Sequence, residues 1–371
     1  MQPTPTRLDS AADAMSGANE TLLQVRDVKT HFFTDEGVVK AVDGVNLSLK
    51  RGQTLCVVGE SGCGKSVMAR SILRIVPAPG RIVSGEISFR QRNGETIDLA
   101  QMNPRGRDIR SIRGREISMI FQEPMSSLSP VHTIGSQIME AILLHLPVSR
   151  SEARKRAVSL LDLVGIPRAS EQLDAYSFEL SGGMRQRAMI AIALACEPQL
   201  LIADEPTTAL DVTTQANILD LISDLQADSG MAVLFITHDL GVVAEIADEV
   251  VVMYLGRDVE SGDVDAIFHE PKHPYTRALL QSIPRYDSRD RERLYSLKGS
   301  VPHPFNRPGG CPFHPRCDEF IADQCNTIDP GRYTVGGDHS VRCLLYEPSA
   351  AAQNVGASEP PAPAQNVGAT R

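Results

Sequence analysis

Gly59, Glu60, Ser61, Gly62, Cys63, Gly64, Lys65 and Ser66 fit the pattern G-x-x-x-x-G-K-[ST], a loop whose chemistry is narrow. Glycines let the main chain wrap closely around a polyphosphate. Successive N–H groups, continued by Val67 into the next element, add partial positive charge there. Lys65 brings a full charge near the outer phosphates, and the Ser66 hydroxyl is a ligand for Mg²⁺. The flanks agree: an apolar run over 54–58 predicts a buried strand before the loop, and 67–75 reads as a helix after it. The expected ligand is a nucleoside triphosphate.

Further chemistry lies downstream. The apolar run 200–203 predicts a second buried strand, and it ends in Asp204 and Glu205. A carboxylate at the tip of such a strand beside a phosphate loop holds Mg²⁺ through water. Its neighbour has the position to polarise an attacking water. Between the two motifs, Leu180, Ser181, Gly182, Gly183 and Met184 precede a helical run over 188–195. Ser181 can cap that helix, and the glycines leave its N–H groups open to an anion. His238 follows a strand-like run at 233–236.

Taken in order, these motifs resemble the ATP-binding-cassette (ABC) ATPases. Leu180–Gly183 matches the family signature Leu-Ser-Gly-Gly-Gln, with Met184 in the fifth position. Gln122 matches the Gln loop, Asp211 in Ala209-Leu210-Asp211 the loop that faces the sister cassette, and His238 the switch histidine at the γ-phosphate. The resemblance implies two cassettes closing head to tail on two MgATP. Lys65, Ser66, Gln122, Asp204, Glu205 and His238 would hold nucleotide on one side. Ser181, Gly182 and Gly183 would close over nucleotide held by the partner. An aromatic platform for adenine is expected upstream of the loop; Phe32 and Phe33 are the candidates, with Phe32 preferred, and strand alternation would send them to opposite faces.

Three stretches are similar to one branch, the oligopeptide, dipeptide and nickel importers. They are Phe121 to Pro130, with Ser129 in place of the usual Asn, the Met-containing signature of D-type subunits, and His273 to Leu280 at the start of a C-terminal extension. The branch implies an ATP-hydrolysing subunit paired with an F-type homologue. Two membrane-spanning permeases and a solute-binding protein would complete the importer. Two other readings stand beside it: a soluble ABC ATPase of DNA repair or translation, and an importer subunit regulated through its cysteines.

Those cysteines, Cys311, Cys317, Cys325 and Cys343, cluster near the end of the chain. Thiolate-only sets suit Zn²⁺ or an iron–sulfur cluster, and tight Pro-rich turns can bring them to one centre. Their spacing matches neither the C-x2-C zinc knuckles nor the common ferredoxin runs, which leaves the metal open on chemistry alone. The resemblance to D-type subunits implies a [4Fe–4S] cluster, with structural zinc as the alternative.

The elements that must position these residues alternate short β-rich runs with helical patterns from residue 22 to about 260, an α/β arrangement. The resemblance makes this a RecA-like P-loop core with antiparallel β and helical subdomains. The expected division is a disordered lead-in at 1–20, a cassette at 21–262 with its helical subdomain at about 123–185, a cysteine-containing extension at 263–346 and a flexible tail at 347–371. The tail carries Gln-Asn-Val-Gly-Ala at 353–357 and again at 365–369. Ser149 and Glu152 have capping-box spacing and open a helix with Ala153, Ala157, Leu160, Leu161 and Val164 on one face. A net charge of −9 argues against nucleic acid as a partner. No apolar run approaches the roughly eighteen residues that cross a bilayer, and 1–20 has neither a basic start nor an apolar core. The chain is expected at the cytoplasmic face of the inner membrane, held there by its permeases.

Overall fold

The computed structural model describes residues 20–122, 127–208, 211–283 and 297–348. Residues 1–19 of the expected lead-in and 349–371 of the expected tail lie outside the described residues, as do Glu123 to Ser126 of the Gln-loop stretch and Ala209-Leu210.

The strands are β1 (Thr21–Thr34), β2 (Gly37–Lys50), β3 (Thr54–Val58), β4 (Gly80–Arg90), β5 (Thr96–Asp98), β6 (Ile117–Ile120), β7 (Leu200–Asp204), β8 (Ala232–Ile236), β9 (Glu249–Tyr254), β10 (Arg257–Asp263), β11 (Tyr333–Gly336) and β12 (His339–Val341). The helices are α1 (Lys65–Ile72), α2 (Arg107–Ile112), α3 (Ile134–His145), α4 (Arg150–Leu163), α5 (Ala169–Gln172), α6 (Gly182–Leu194), α7 (Val212–Ser229), α8 (Leu240–Ile246), α9 (Val264–His269) and α10 (Pro274–Gln281).

Strands β9, β3, β8, β7 and β6 lie side by side in parallel. Parallel neighbours need long crossovers, and α1, α7 and α8 fall within them. Both faces of this sheet are covered, so its strands read as unbroken apolar runs rather than alternations. Successive side chains enter different cores. Leu55 and Val57 of β3 join α1 and the small antiparallel sheet β2-β1-β4-β5, whereas Cys56 and Val58 join the helices around α6.

Those helices supply the other core. Ile134, Ile138 and Ile142 of α3 pack with Ala153, Ala157 and Leu161 of α4 and with Ile190 of α6. Ser149 caps α4 by accepting the Glu152 N–H at 3.2 Å. The expected apolar face forms, with Leu160 at its partly buried edge.

The C-terminal segment does not stand apart from this frame. β12 pairs antiparallel with β10, which pairs with β9, so the end of the chain extends the central sheet. Ion pairs reinforce the join: buried Asp258 on β10 meets Arg342 Nη2 at 3.2 Å and Arg332 Nη1 at 3.7 Å.

Candidate nucleotide site

The 59–66 loop joins β3 to α1. The helix begins at Lys65, two residues earlier than the sequence predicts, and stops at Ile72, where Arg74 takes a left-handed φ of 57°. Two glycines are demanded by close approach. A Cβ on Gly59 would lie 2.2 Å from Met253 O, and one on Gly64 would lie 2.1 Å from Ala41 O. Lys65 is buried and folds back along the loop, where Nζ donates to Gly59 O at 2.7 Å and Glu60 O at 3.2 Å. The ammonium is therefore stored against carbonyl oxygens of the cradle it would serve.

At the loop's far end Ser66 Oγ donates to Asp204 Oδ1 at 2.9 Å. Asp204 is fully buried, and its Oδ2 has no hydrogen-bond partner among the described residues. Burial pushes its carboxyl pKa up, against the pull of the Ser66 hydrogen bond. A buried, unpaired carboxylate oxygen beside a serine hydroxyl fits hydrated Mg²⁺, because the cation supplies the missing partner.

Glu205 turns away from the strand by adopting φ 48°, a left-handed conformation that costs energy in a residue other than glycine. Its N–H is held by Ile236 O at 2.9 Å. The turn gathers three side chains on its carboxylate. Gln122 Nε2 donates at 3.2 Å, Thr208 Oγ1 donates at 3.0 Å, and His238 Nδ1 lies 3.5 Å from Oε1. Ala41, Ser61, Gly62, Cys63, Gly64, Lys65, Ser66, Val67, Gln122 and Glu205 line one cleft. Such a cleft can take a phosphate chain at one end and present a carboxylate to a water at the other.

A family model described as ABC transporter matches residues 42–208. The oligopeptide transport ATP-binding protein AppD of Bacillus subtilis (strain 168) is 50% identical over 335 residues, covering 90% of this chain and 99% of that protein. The chain belongs to the ABC transporter family. A second model, the C-terminal region of oligopeptide/dipeptide transporters, matches residues 259–325. The dipeptide transport ATP-binding protein DppD of Escherichia coli (strain K12) is 47% identical over 322 residues, covering 87% of this chain and 96% of that one. Among solved structures, the ATP-binding cassette MJ0796 in a dimeric post-hydrolysis state with ADP and Pi has a TM-score of 0.58 at 26% identity. It covers 66% of this chain and 99% of its own.

The other ABC motifs occupy distinct places. Ser181 caps α6, accepting the Met184 N–H at 3.3 Å, and Gly182 faces open space. Ser181, Gly182 and Gly183 do not line the chain's own phosphate cleft. Asp211 caps α7, taking the Thr214 N–H at 3.0 Å and its hydroxyl at 2.8 Å, and the backbone hydrogen bond from Thr214 lowers its pKa. Phe32 packs against Gly80, while Phe33 is exposed beneath the Arg81 guanidinium, 4.3 Å from the ring centre.

Cys311, Cys325 and Cys343 are buried and Cys317 is half-buried. Burial, followed by the nearby thiols, pushes Cys317 up to about 11; burial also dominates at Cys343, pushed up to about 12. No three His, Cys, Asp or Glu side chains among the described residues gather closely enough to hold a metal ion. The expected convergence is therefore incomplete: Cys325 Sγ lies 3.5 Å from the Ile321 N–H, in the geometry of a local hydrogen bond. The donor type suits Zn²⁺ or iron–sulfur chemistry, but the arrangement does not yet surround a centre.

Sequence reasoning missed several contributors. Thr208, three residues past Glu205, anchors its carboxylate. Gln186 is buried in α6 and donates to Pro206 O, tying the signature helix to the Asp204–Glu205 turn. A glutamine on an otherwise apolar helix face was the available signal. Arg316, between two cysteines, grips Glu60 of the phosphate loop with both terminal nitrogens, at 2.7 and 3.0 Å. Nothing in its local sequence announces that partner.

Proposed function

We propose that this chain is the ATP-hydrolysing subunit of an ABC importer for peptides. The observation that carries the reading is one cleft lined by Lys65, Ser66, Gln122 and Glu205, with Asp204 bonded to Ser66 and His238 beside Glu205, in a chain that carries the oligopeptide/dipeptide C-terminal region at 259–325. Lys65 and the loop N–H groups bind the phosphates. Ser66, Asp204 and Gln122 would hold Mg²⁺, which would supply positive charge against the phosphates. Glu205 orients the attacking water and takes its proton, with His238 beside the γ-phosphate. Ser181, Gly182, Gly183 and Asp211 act across a dimer of cassettes, which fits their position away from the chain's own cleft. Phe32 carries the adenine.

No described helix is long and apolar enough to cross a membrane. The chain sits peripherally on the cytoplasmic face of the inner membrane, docked on two permeases that receive peptide from a solute-binding protein. Its partner cassette is a distinct F-type subunit. For Cys311, Cys317, Cys325 and Cys343 a structural [4Fe–4S] cluster, with Zn²⁺ the alternative, is supported by the thiol donor type alone, because no three of these side chains gather closely enough among the described residues to hold a metal. Iron, sulfide and zinc content of anaerobically purified protein decides between them, and absence of all three ends the assignment.

The decisive experiment co-expresses the chain with its neighbouring permeases and binding protein, then follows peptide uptake into vesicles. Lys65→Ala is expected to abolish both ATP binding and uptake. Uptake at the parent's rate by that variant overturns the reading.

A further inference from the structure

Glu60 is the second residue of the phosphate loop, and each of its polar groups is held. Its N–H donates to Tyr275 Oη at 2.9 Å, its carbonyl accepts Lys65 Nζ at 3.2 Å, and its two carboxylate oxygens accept the Arg316 fork at 2.7 and 3.0 Å. A bidentate guanidinium–carboxylate pair fixes orientation as well as distance. Arg316 is itself immobilised, with its side chain 4% exposed. Its Nε donates to Lys298 O at 3.0 Å and its Nη1 to Tyr254 Oη at 3.4 Å. Tyr275 is buried against Tyr254 and Phe313, with ring centres 4.7 and 5.3 Å away.

The grip therefore reaches the loop from outside the phosphate cleft. Arg316 ends the short 314–316 turn directly before Cys317, and Tyr275 lies in α10. Neither lines the cleft. A glycine-rich loop is loose by nature, and it binds phosphate well only when its N–H groups are already aimed. Lys65 shares the Glu60 carbonyl, so displacing Glu60 also displaces the ammonium.

We infer that Arg316, with Tyr275, is a positioning device through which the C-terminal cysteine segment sets the phosphate loop for nucleotide. The pair presets ATP affinity without touching ATP. Any event that shifts the 311–317 turn lowers that affinity.

The test uses the full-length chain, with MgATP affinity measured by titration and kcat and KM measured separately. Arg316→Ala is expected to weaken MgATP binding about tenfold, the scale of lost hydrogen bonds to a charged group, with kcat at saturating MgATP kept. Arg316→Lys, which retains charge but not the fork, falls between it and the parent. Glu60→Ala matches Arg316→Ala in MgATP affinity, and the double variant binds no more weakly than the weaker single. A fall in kcat with affinity intact, additive effects in the double variant, or parent-like affinity in Arg316→Ala overturns the inference. Should Arg316→Ala fail to fold, as judged by circular dichroism, Glu60→Ala decides, and parent-like affinity there is fatal to it.

Discussion

Ser66 and Asp204, separated by 138 residues, meet at 2.9 Å, and that bond closes one end of the phosphate cleft. Ser66 opens α1 and Asp204 ends β7, so the contact exists only because β3 and β7 flank the same strand, β8. Among the described residues Asp204 Oδ2 lacks a partner, and a cation would complete the carboxylate. Asp204→Asn keeps the shape and removes the charge. The variant is expected to need about 10–100-fold more Mg²⁺ for half-maximal hydrolysis, while binding ATP in EDTA as the parent does. An unchanged Mg²⁺ requirement would remove Asp204 from the metal site.

Glu205 gives a different separation of binding from chemistry. Its backbone is fixed by Ile236 O and its side chain by Gln122 and Thr208, so the carboxylate is aimed before substrate binds. Glu205→Gln preserves the hydrogen-bonding outline but cannot accept the water's proton. Turnover is expected to fall roughly 10²–10⁴-fold with nucleotide affinity retained. Phosphate release under single-turnover conditions, alongside equilibrium binding, checks both halves.

The parts of this site that could be read from sequence are those whose chemistry is local. The 59–66 loop, the Asp204–Glu205 strand tip and the Ser181 cap each depend on a few adjacent residues with fixed conformational demands. The α/β alternation was legible for the same reason, since buried parallel strands are unbroken apolar runs. What escaped depends on long-range closure. Arg316 and Glu60 lie 256 residues apart, and no local rule links them. The left-handed turn at Glu205 was also hidden, because a glutamate carries no preference for that conformation. The sequence extends the short helix after the loop too far because Leu73 and Ile75 continue the apolar pattern while the backbone turns away at Arg74.

The join between cassette and extension is testable through Asp258. Burial pushes its carboxyl pKa up, although Arg342 and Arg332 pull in the opposite direction. Removing Arg342 leaves buried Asp258 with the longer Arg332 contact at 3.7 Å, and losing one partner of a buried pair is more damaging than losing both. Arg342→Met is expected to destabilise the chain by about 3–5 kcal/mol in urea, and adding Asp258→Asn should recover part of that loss. A double variant as unstable as the sum of the singles would mean that the residues act independently.

Acid sensitivity should trace to His273. This fully buried residue caps α10 by accepting the Tyr275 N–H on Nδ1 at 3.0 Å, which requires the neutral ring. Burial dominates and lowers its pKa from 6.5 to about 4, despite the opposing pull of Glu260. The unfolded chain therefore binds a proton that the folded chain refuses between those values. Stability from this residue is complete above pH 6.5 and is lost as pH falls toward 4, a total on the order of 3 kcal/mol. Glu260 acts in the same direction, because its lowered pKa also favours the folded state only above the carboxylate range. His273→Asn keeps a capping oxygen and removes the titration. Urea midpoints measured from pH 7 down to 4 should then fall less steeply than the parent's. Parallel curves for the two proteins would assign the acid loss to other groups.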